Sequence, residues 1–140
     1  MKPQKIAYIA TTSLVAFAFA SGGALDLTHA PAVLEPMTKL GYPLYVASIL
    51  GAWKLLGAAA IVAPRLPRVK EWAYAGMVFE LTGAAISHAA SGDPAGNVVT
   101  PLVLLALVVA SWALRPESRT LKANAESAGS ARFGRSALAT

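Results

Sequence analysis

The sequence predicts an all-α fold, a four-helix transmembrane bundle with both termini in the cytoplasm. Three observations predict it. Hydrophobic residues make up 56% of the 140-residue chain and charged residues 14%, against about 25% charged in soluble domains. Four apolar stretches approach membrane length, at about residues 6–25, 43–63, 72–90 and 98–114, where a spanning helix needs about 20 residues. The charges also sort by side. Lys2 and Lys5 precede the first stretch, Arg65, Arg68 and Lys70 separate the second from the third, and Arg115, Arg119, Lys122, Arg132 and Arg135 follow the fourth. The loops between, 26–42 and 91–97, hold Lys39 against Asp26, Glu35 and Asp93. Basic residues collect in cytoplasmic loops, so the net charge of +5 follows from topology and needs no nucleic acid. The implied partner is the lipid bilayer, crossed several times.

The first helix follows a basic N-terminus and runs through Phe17-Ala18-Phe19-Ala20-Ser21-Gly22-Gly23. A signal peptide cleaved after Ala18-Phe19-Ala20 is the alternative. Apolar residues continue to Leu27, which favours a retained helix. Residues 28–42 read as an outer loop punctuated by Pro31 and Pro36, with Gly41-Tyr42-Pro43 opening the second helix. Tyr42 and Tyr45 are expected at the outer interface, Trp72 and Trp112 at the inner one, as an aromatic belt. The turn 91–97 offers Asn97 as N-cap of the fourth helix, with Pro101 near its first turn. The membrane domain is expected over residues 1–116. Residues 117–140 become rich in Ala, Ser and Gly with scattered Arg, which predicts a disordered cytoplasmic tail whose basic residues could attract anionic lipid.

Two charges interrupt the apolar stretches, Lys54 in the second and Glu80 in the third. A charge at the centre of a membrane helix costs about 2.5–3.5 kcal/mol on insertion scales, so each needs a partner. With the hairpin turn at 64–70, Lys54 and Glu80 lie about ten and nine residues from it, a depth difference of only ~1.5 Å. Ala47, Gly51, Lys54 and Ala58 share one helical face, and Gly76, Glu80, Gly83 and Ser87 share another. Small residues on both faces predict a close approach and a Lys54–Glu80 ion pair. That pair reads either as structural, fixing helix register, or as a site for a quinone head group or a relayed proton.

His88 lies about two helical turns beyond Glu80, and Asp26, closing the first helix, is expected at similar height. A His88–Asp26 contact would handle protons at an outward-facing site, and an interfacial His88 bonded to backbone or lipid is the plainer reading. His29 lies in a Pro-flanked loop, so a bis-histidine haem with His88 does not fit. Asp26, His29, His88 and Asp93 lack the spacing of a metal site. With no cysteine, the chain has no thiol relay, disulfide or iron–sulfur ligand of its own. It carries no Gly-rich phosphate loop, nucleophile elbow or zinc-binding helix motif, and leaves enzymatic activity open.

Gly41-Tyr42-Pro43, Gly51-Ala52-Trp53-Lys54-Leu55-Leu56-Gly57-Ala58, Lys70-Glu71-Trp72-Ala73-Tyr74-Ala75-Gly76, Gly83-Ala84-Ala85-Ile86-Ser87-His88 and Gly92-Asp93 follow one another in an order that resembles the DoxX-like family of small bacterial membrane proteins. The resemblance covers about residues 35–116. It implies a four-helix membrane bundle and points towards respiratory or redox membrane complexes, because relatives named DoxX and DoxD are linked to quinone-coupled sulfur oxidation and to redox-stress assemblies. The leading expectation is a small membrane subunit of a quinone-linked redox system, engaging quinone near Lys54, Glu80, His88 and Asp26. A non-catalytic scaffold held by the Lys54–Glu80 pair is the alternative. A small-solute transporter is a weaker third, because no second pseudo-symmetric half with broken helices is visible.

Overall fold

A computed structural model describes residues 2–121. Five α-helices and no strand occur among them: α1 (Pro3–Leu27), α2 (Pro31–Lys39), α3 (Leu44–Val62), α4 (Pro67–Ala90) and α5 (Ala95–Ala113), followed by a single 3-10 turn at Glu117–Arg119. Most of the expected tail, 122–140, lies outside the described residues. α3 packs most extensively against α1, and α4 against α5. The α1–α5 and α3–α4 contacts close these four long helices into a ring, and α2 lies against α3.

The ring encloses one core, built from Val15 and Phe19 of α1, Ala58 and Ile61 of α3, Tyr74, Met77 and Leu81 of α4 and Val108 of α5. Larger apolar residues point the other way. Phe17, Trp53, Trp72 and Phe79 are 74%, 66%, 76% and 75% exposed, an arrangement that water penalises and lipid does not. α1, α3 and α5 are each long and apolar enough to cross a membrane, and the chain is a membrane protein. α4 has the length, at 24 residues, but carries Arg68, Lys70, Glu71 and Glu80.

Three helices end in the same way. After α2, Gly41 adopts a φ of +78°, the Gly41 N–H donates to Thr38 O and the Tyr42 N–H donates to Met37 O at 2.9 Å. These reversed bonds form a Schellman motif, which satisfies carbonyls the helix leaves open. After α4, Gly92 takes the same role at φ +68°, with the Asp93 N–H donating to His88 O. After α1 the left-handed residue is His29, at φ +51°. A non-glycine residue there costs roughly 1–2 kcal/mol, and the His29 ring meets Ser48 Oγ through Nε2 at 2.8 Å.

Several expectations are corrected. The loop 28–42 contains α2, which Pro31 opens at its first position, where a missing N–H is harmless. Pro36 interrupts but does not end it. The basic turn is shorter than expected, because α4 begins at Pro67 and takes Arg68 and Lys70 into its first turn. Lys70 is not solvated there: it is buried, and its Nζ donates to Ala60 O at 2.9 Å and Ile61 O at 2.6 Å. A side-chain cation thereby caps the carbonyl end of α3. Pro94, not Asn97, occupies the N-cap position of α5, and Pro101 lies inside that helix.

Candidate functional site

The Lys54 ammonium sits between two carboxylates. Its Nζ donates to Asp26 Oδ2 at 2.7 Å and lies 3.0 Å from Glu80 Oε1. Asp26 is buried; the other two side chains are one-fifth exposed or less. The reach from α1 to α3 has a specific cause. Gly23 and Gly51 face each other where the two helices cross, and Asp26 and Lys54 each stand three residues further along their own helix, on the same faces. Because neither glycine has a side chain, Asp26 comes within hydrogen-bonding distance of Lys54. Glu80 approaches from α4, so one cation ties α1, α3 and α4.

His88 does not meet Asp26. Its Nδ1 lies 2.6 Å from Asp93 Oδ2, and Asp93 also pairs with Lys39. The reason is topological: α1 borders α3 and α5, whereas His88 stands on α4, and Asp26 is turned towards α3. Asp93 reaches His88 because the Gly92 turn folds the chain back over the end of α4, so that its N–H bonds His88 O while its side chain bonds the ring. Lys39 in the first place, and His88 after it, hold the Asp93 carboxyl below the usual carboxylate range. Lys39 is the last residue of α2, so the same carboxylate tethers α2 to the α4–α5 turn. A second tether nearby is the 2.7 Å hydrogen bond between Tyr42 OH and Ser87 Oγ.

The expected Lys54–Glu80 pair is present, and although His88 and Asp26 do not meet, Asp26, Lys54, Glu80 and His88 line one cavity of about 440 Å³. Apart from the Tyr42 and Ser87 hydroxyls, its remaining wall is apolar, with Pro36, Met37 and Leu40 from the α2 segment, Val46 and Leu50 from α3, and Phe79 from α4. A second cavity of about 350 Å³ continues towards the basic end of the bundle between Trp53, Leu56, Trp72 and Met77. Leu50 and Glu80 border both. The small residues of α4 explain this space. A Cβ at Gly76 or Gly83 would meet no atom within 4 Å, so these glycines open room beside α3. The expected close approach of α3 and α4 along their small faces is replaced by close approach of α3 and α1.

Two further clusters went unread in the sequence. Ser111 Oγ bonds both Thr12 Oγ1 at 2.7 Å and Tyr74 OH at 2.8 Å, a buried hydroxyl cluster within the ring. Glu71 accepts from Trp112 Nε1 at 2.9 Å and from Arg115 Nη2 at 2.7 Å. Each joins residues distant in the chain, with no local spacing to announce it. Asp26 as partner of Lys54 did leave a signal, in the matched pairs Gly23/Asp26 and Gly51/Lys54.

The DoxX-like family model matches residues 10–111, well over half of the chain, and the chain belongs to that family. The match includes most of α1 as well as the words that carry the resemblance in the sequence. No curated protein and no solved structure matches the chain.

Proposed function

We propose that this member of the DoxX-like family is a small inner-membrane subunit of a quinone-linked redox system, and that it holds a quinone or quinol between α2, α3 and α4. The observation that carries the reading is the convergence of Asp26, Lys54, Glu80 and His88 on one cavity whose walls are otherwise mostly apolar. Few polar groups set in an apolar pocket are the usual form of a small-molecule site. Lys54 would donate to a quinone carbonyl oxygen, and Glu80 or Asp26 would accept from a quinol hydroxyl. The neighbouring apolar cavity at Trp53 and Trp72 offers room for a prenyl tail. A bound quinone would supply two-electron, two-proton chemistry. Without cysteine in the chain, the electrons would come from a partner.

In this reading α4 is a fourth span, with Lys54 neutralising Glu80 at depth and the charges of its first turn at the membrane surface. The basic end faces the cytoplasm, and α1 is retained because it carries Asp26. A reporter fused after Arg119 should therefore be cytoplasmic and one at Asp93 periplasmic. A mature N-terminus at Ser21 would remove most of α1 and refute its retention.

The direct test is to purify the protein in mild detergent, extract it with organic solvent and look for quinone by absorbance and chromatography. A short-chain quinone should also quench Trp53 and Trp72 fluorescence and raise the melting temperature. No co-purified quinone, together with no response to the added analogue, would overturn the proposal. A non-catalytic scaffold is the second reading. It is favoured by the junction of three helices at Lys54, and gains if a stable variant with an apolar junction still supports the host phenotype.

A further inference from the structure

The basic end of the bundle carries a third cavity, separate from the two described. Its volume is about 840 Å³, and Lys2, Lys5, Arg115 and Arg119 line it together with Glu117. Arg115 is spoken for on most sides: Nη2 binds Glu71, Nε donates to Trp112 O at 3.0 Å, and the guanidinium lies 5.1 Å above the Tyr74 ring. Its Nη1, by contrast, is buried with no hydrogen-bond partner among the described residues, although the side chain is only 3% exposed. A buried charged donor without an acceptor forfeits its hydration with nothing in return, and proteins rarely leave one so. Arg119 stands close by, donating from Nη1 to Tyr8 OH at 3.2 Å.

The charge around the cavity is also unbalanced. Four cations face Glu117, and Glu71 offsets only Arg115, which leaves a surplus of two positive charges. The start of α1 adds to it, since its N-cap, Lys2, makes no side-chain cap bond and a helix N-terminus carries partial positive charge. What would satisfy a spare guanidinium N–H, a basic rim and an open helix start together is an anion with several acceptor oxygens.

We propose that this cavity binds a phosphate group, with Arg115 and Arg119 as its anchors and Lys2 and Lys5 as its rim. Arginine suits phosphate because its donors match the oxygens in pairs. The phosphate can belong to an anionic lipid headgroup, since basic pockets at the cytoplasmic surface take such headgroups, or to a soluble phosphate.

The test uses the full chain in a maltoside detergent at about 0.15 M salt, near physiological ionic strength. Its melting temperature is followed against phosphatidylglycerol, against phosphatidylcholine and against inorganic phosphate. A rise with phosphatidylglycerol alone identifies a lipid site, and a rise with inorganic phosphate identifies a soluble one. No rise with either overturns the proposal. Lys2 and Lys5 are exposed, so the double variant K2Q/K5Q should stay folded while binding at least about tenfold more weakly, given roughly 1 kcal/mol per basic residue. R65Q/R68Q removes the same charge from the same end outside the cavity and should bind nearly as the unaltered chain does. Equal weakening in the two double variants, or none in K2Q/K5Q, would show diffuse attraction and sink the site.

Discussion

Gly23 of α1 and Gly51 of α3 cross backbone against backbone. A Cβ on Gly23 would lie 2.9 Å from Gly51 O, and one on Gly51 would lie 2.8 Å from Gly23 O. Backbone cannot yield as a side chain can, so the helices would have to part. Overpacking of this kind costs about 1–3 kcal/mol, and it would also stretch the Asp26–Lys54 bond beside it. Gly23→Ala and Gly51→Ala should therefore each lower the melting temperature of the purified protein. Gly76→Ala and Gly83→Ala should not, because they face open space and alanine favours helix by about 1 kcal/mol. If all four behave alike, the α1–α3 crossing is misplaced.

The junction at Lys54 predicts an order of effects. Asp26→Asn and Glu80→Gln each leave Lys54 one carboxylate, whereas Lys54→Met leaves two carboxylates facing each other without a cation. Breaking a buried pair from one side typically costs ~3–5 kcal/mol, and Lys54→Met should reach that range while the other two fall short of it. The double change Lys54→Met with Glu80→Leu should recover only part of the loss, because Asp26 stays buried and unpaired. Adding Asp26→Leu should recover most of the remainder. Full recovery in the double variant, read from melting curves, would mean that Asp26 has no share in the junction.

How far the sequence announced this arrangement depends on the range of each signal. Lys54 and Glu80 stand out because an apolar run makes any charge conspicuous, and depth is simple arithmetic along a helix. The membrane-length helices α1, α3 and α5 were legible for the same reason. Which helix lies beside which was not: periodicity marks a face of small residues without naming its partner, so the face holding Gly51 was assigned to α4 when it packs on α1. The Asp93–His88 contact was hidden differently. It depends on Gly92 adopting a left-handed backbone that folds Asp93 back over α4, and Gly92-Asp93 signalled only a turn. α2 escaped because Pro31 and Pro36 mark loops as readily as helix starts.

Lys70 offers a test at the other end of the hairpin. Its ammonium donates to Ala60 O and Ile61 O from within a fully packed setting. Hydrogen bonds from a charged group contribute about 1.5–3 kcal/mol each. Lys70→Met keeps much of the aliphatic volume and removes both donors, so it should destabilise the protein by a few kcal/mol on that scale. Hydrogen exchange should quicken first at the end of α3, near Ala63, whose N–H bonds Ala59 O. Loss of stability without faster exchange there would assign the role of Lys70 to packing alone.

Asp93 predicts a dependence on pH. Lys39 and His88 both favour its ionised form, so its carboxyl titrates lower in the folded protein than in the unfolded chain. A depressed carboxyl contributes stability that is fully present above its unfolded pKa, about 3.9, and is lost as pH falls through the lower folded value. The gap in melting temperature between the unaltered protein and Asp93→Asn should therefore shrink below about pH 4. Lys39→Met should narrow that gap throughout, since Lys39 is the larger cause. Because Lys39 ends α2, protonating Asp93 should also loosen α2 from the cavity that Pro36, Met37 and Leu40 help to line. Amide exchange along α2 should accelerate over the same acidic interval in the unaltered protein, and should already be fast at neutral pH in Asp93→Asn. Exchange in α2 that ignores both pH and the substitution would show that Asp93 does not hold it.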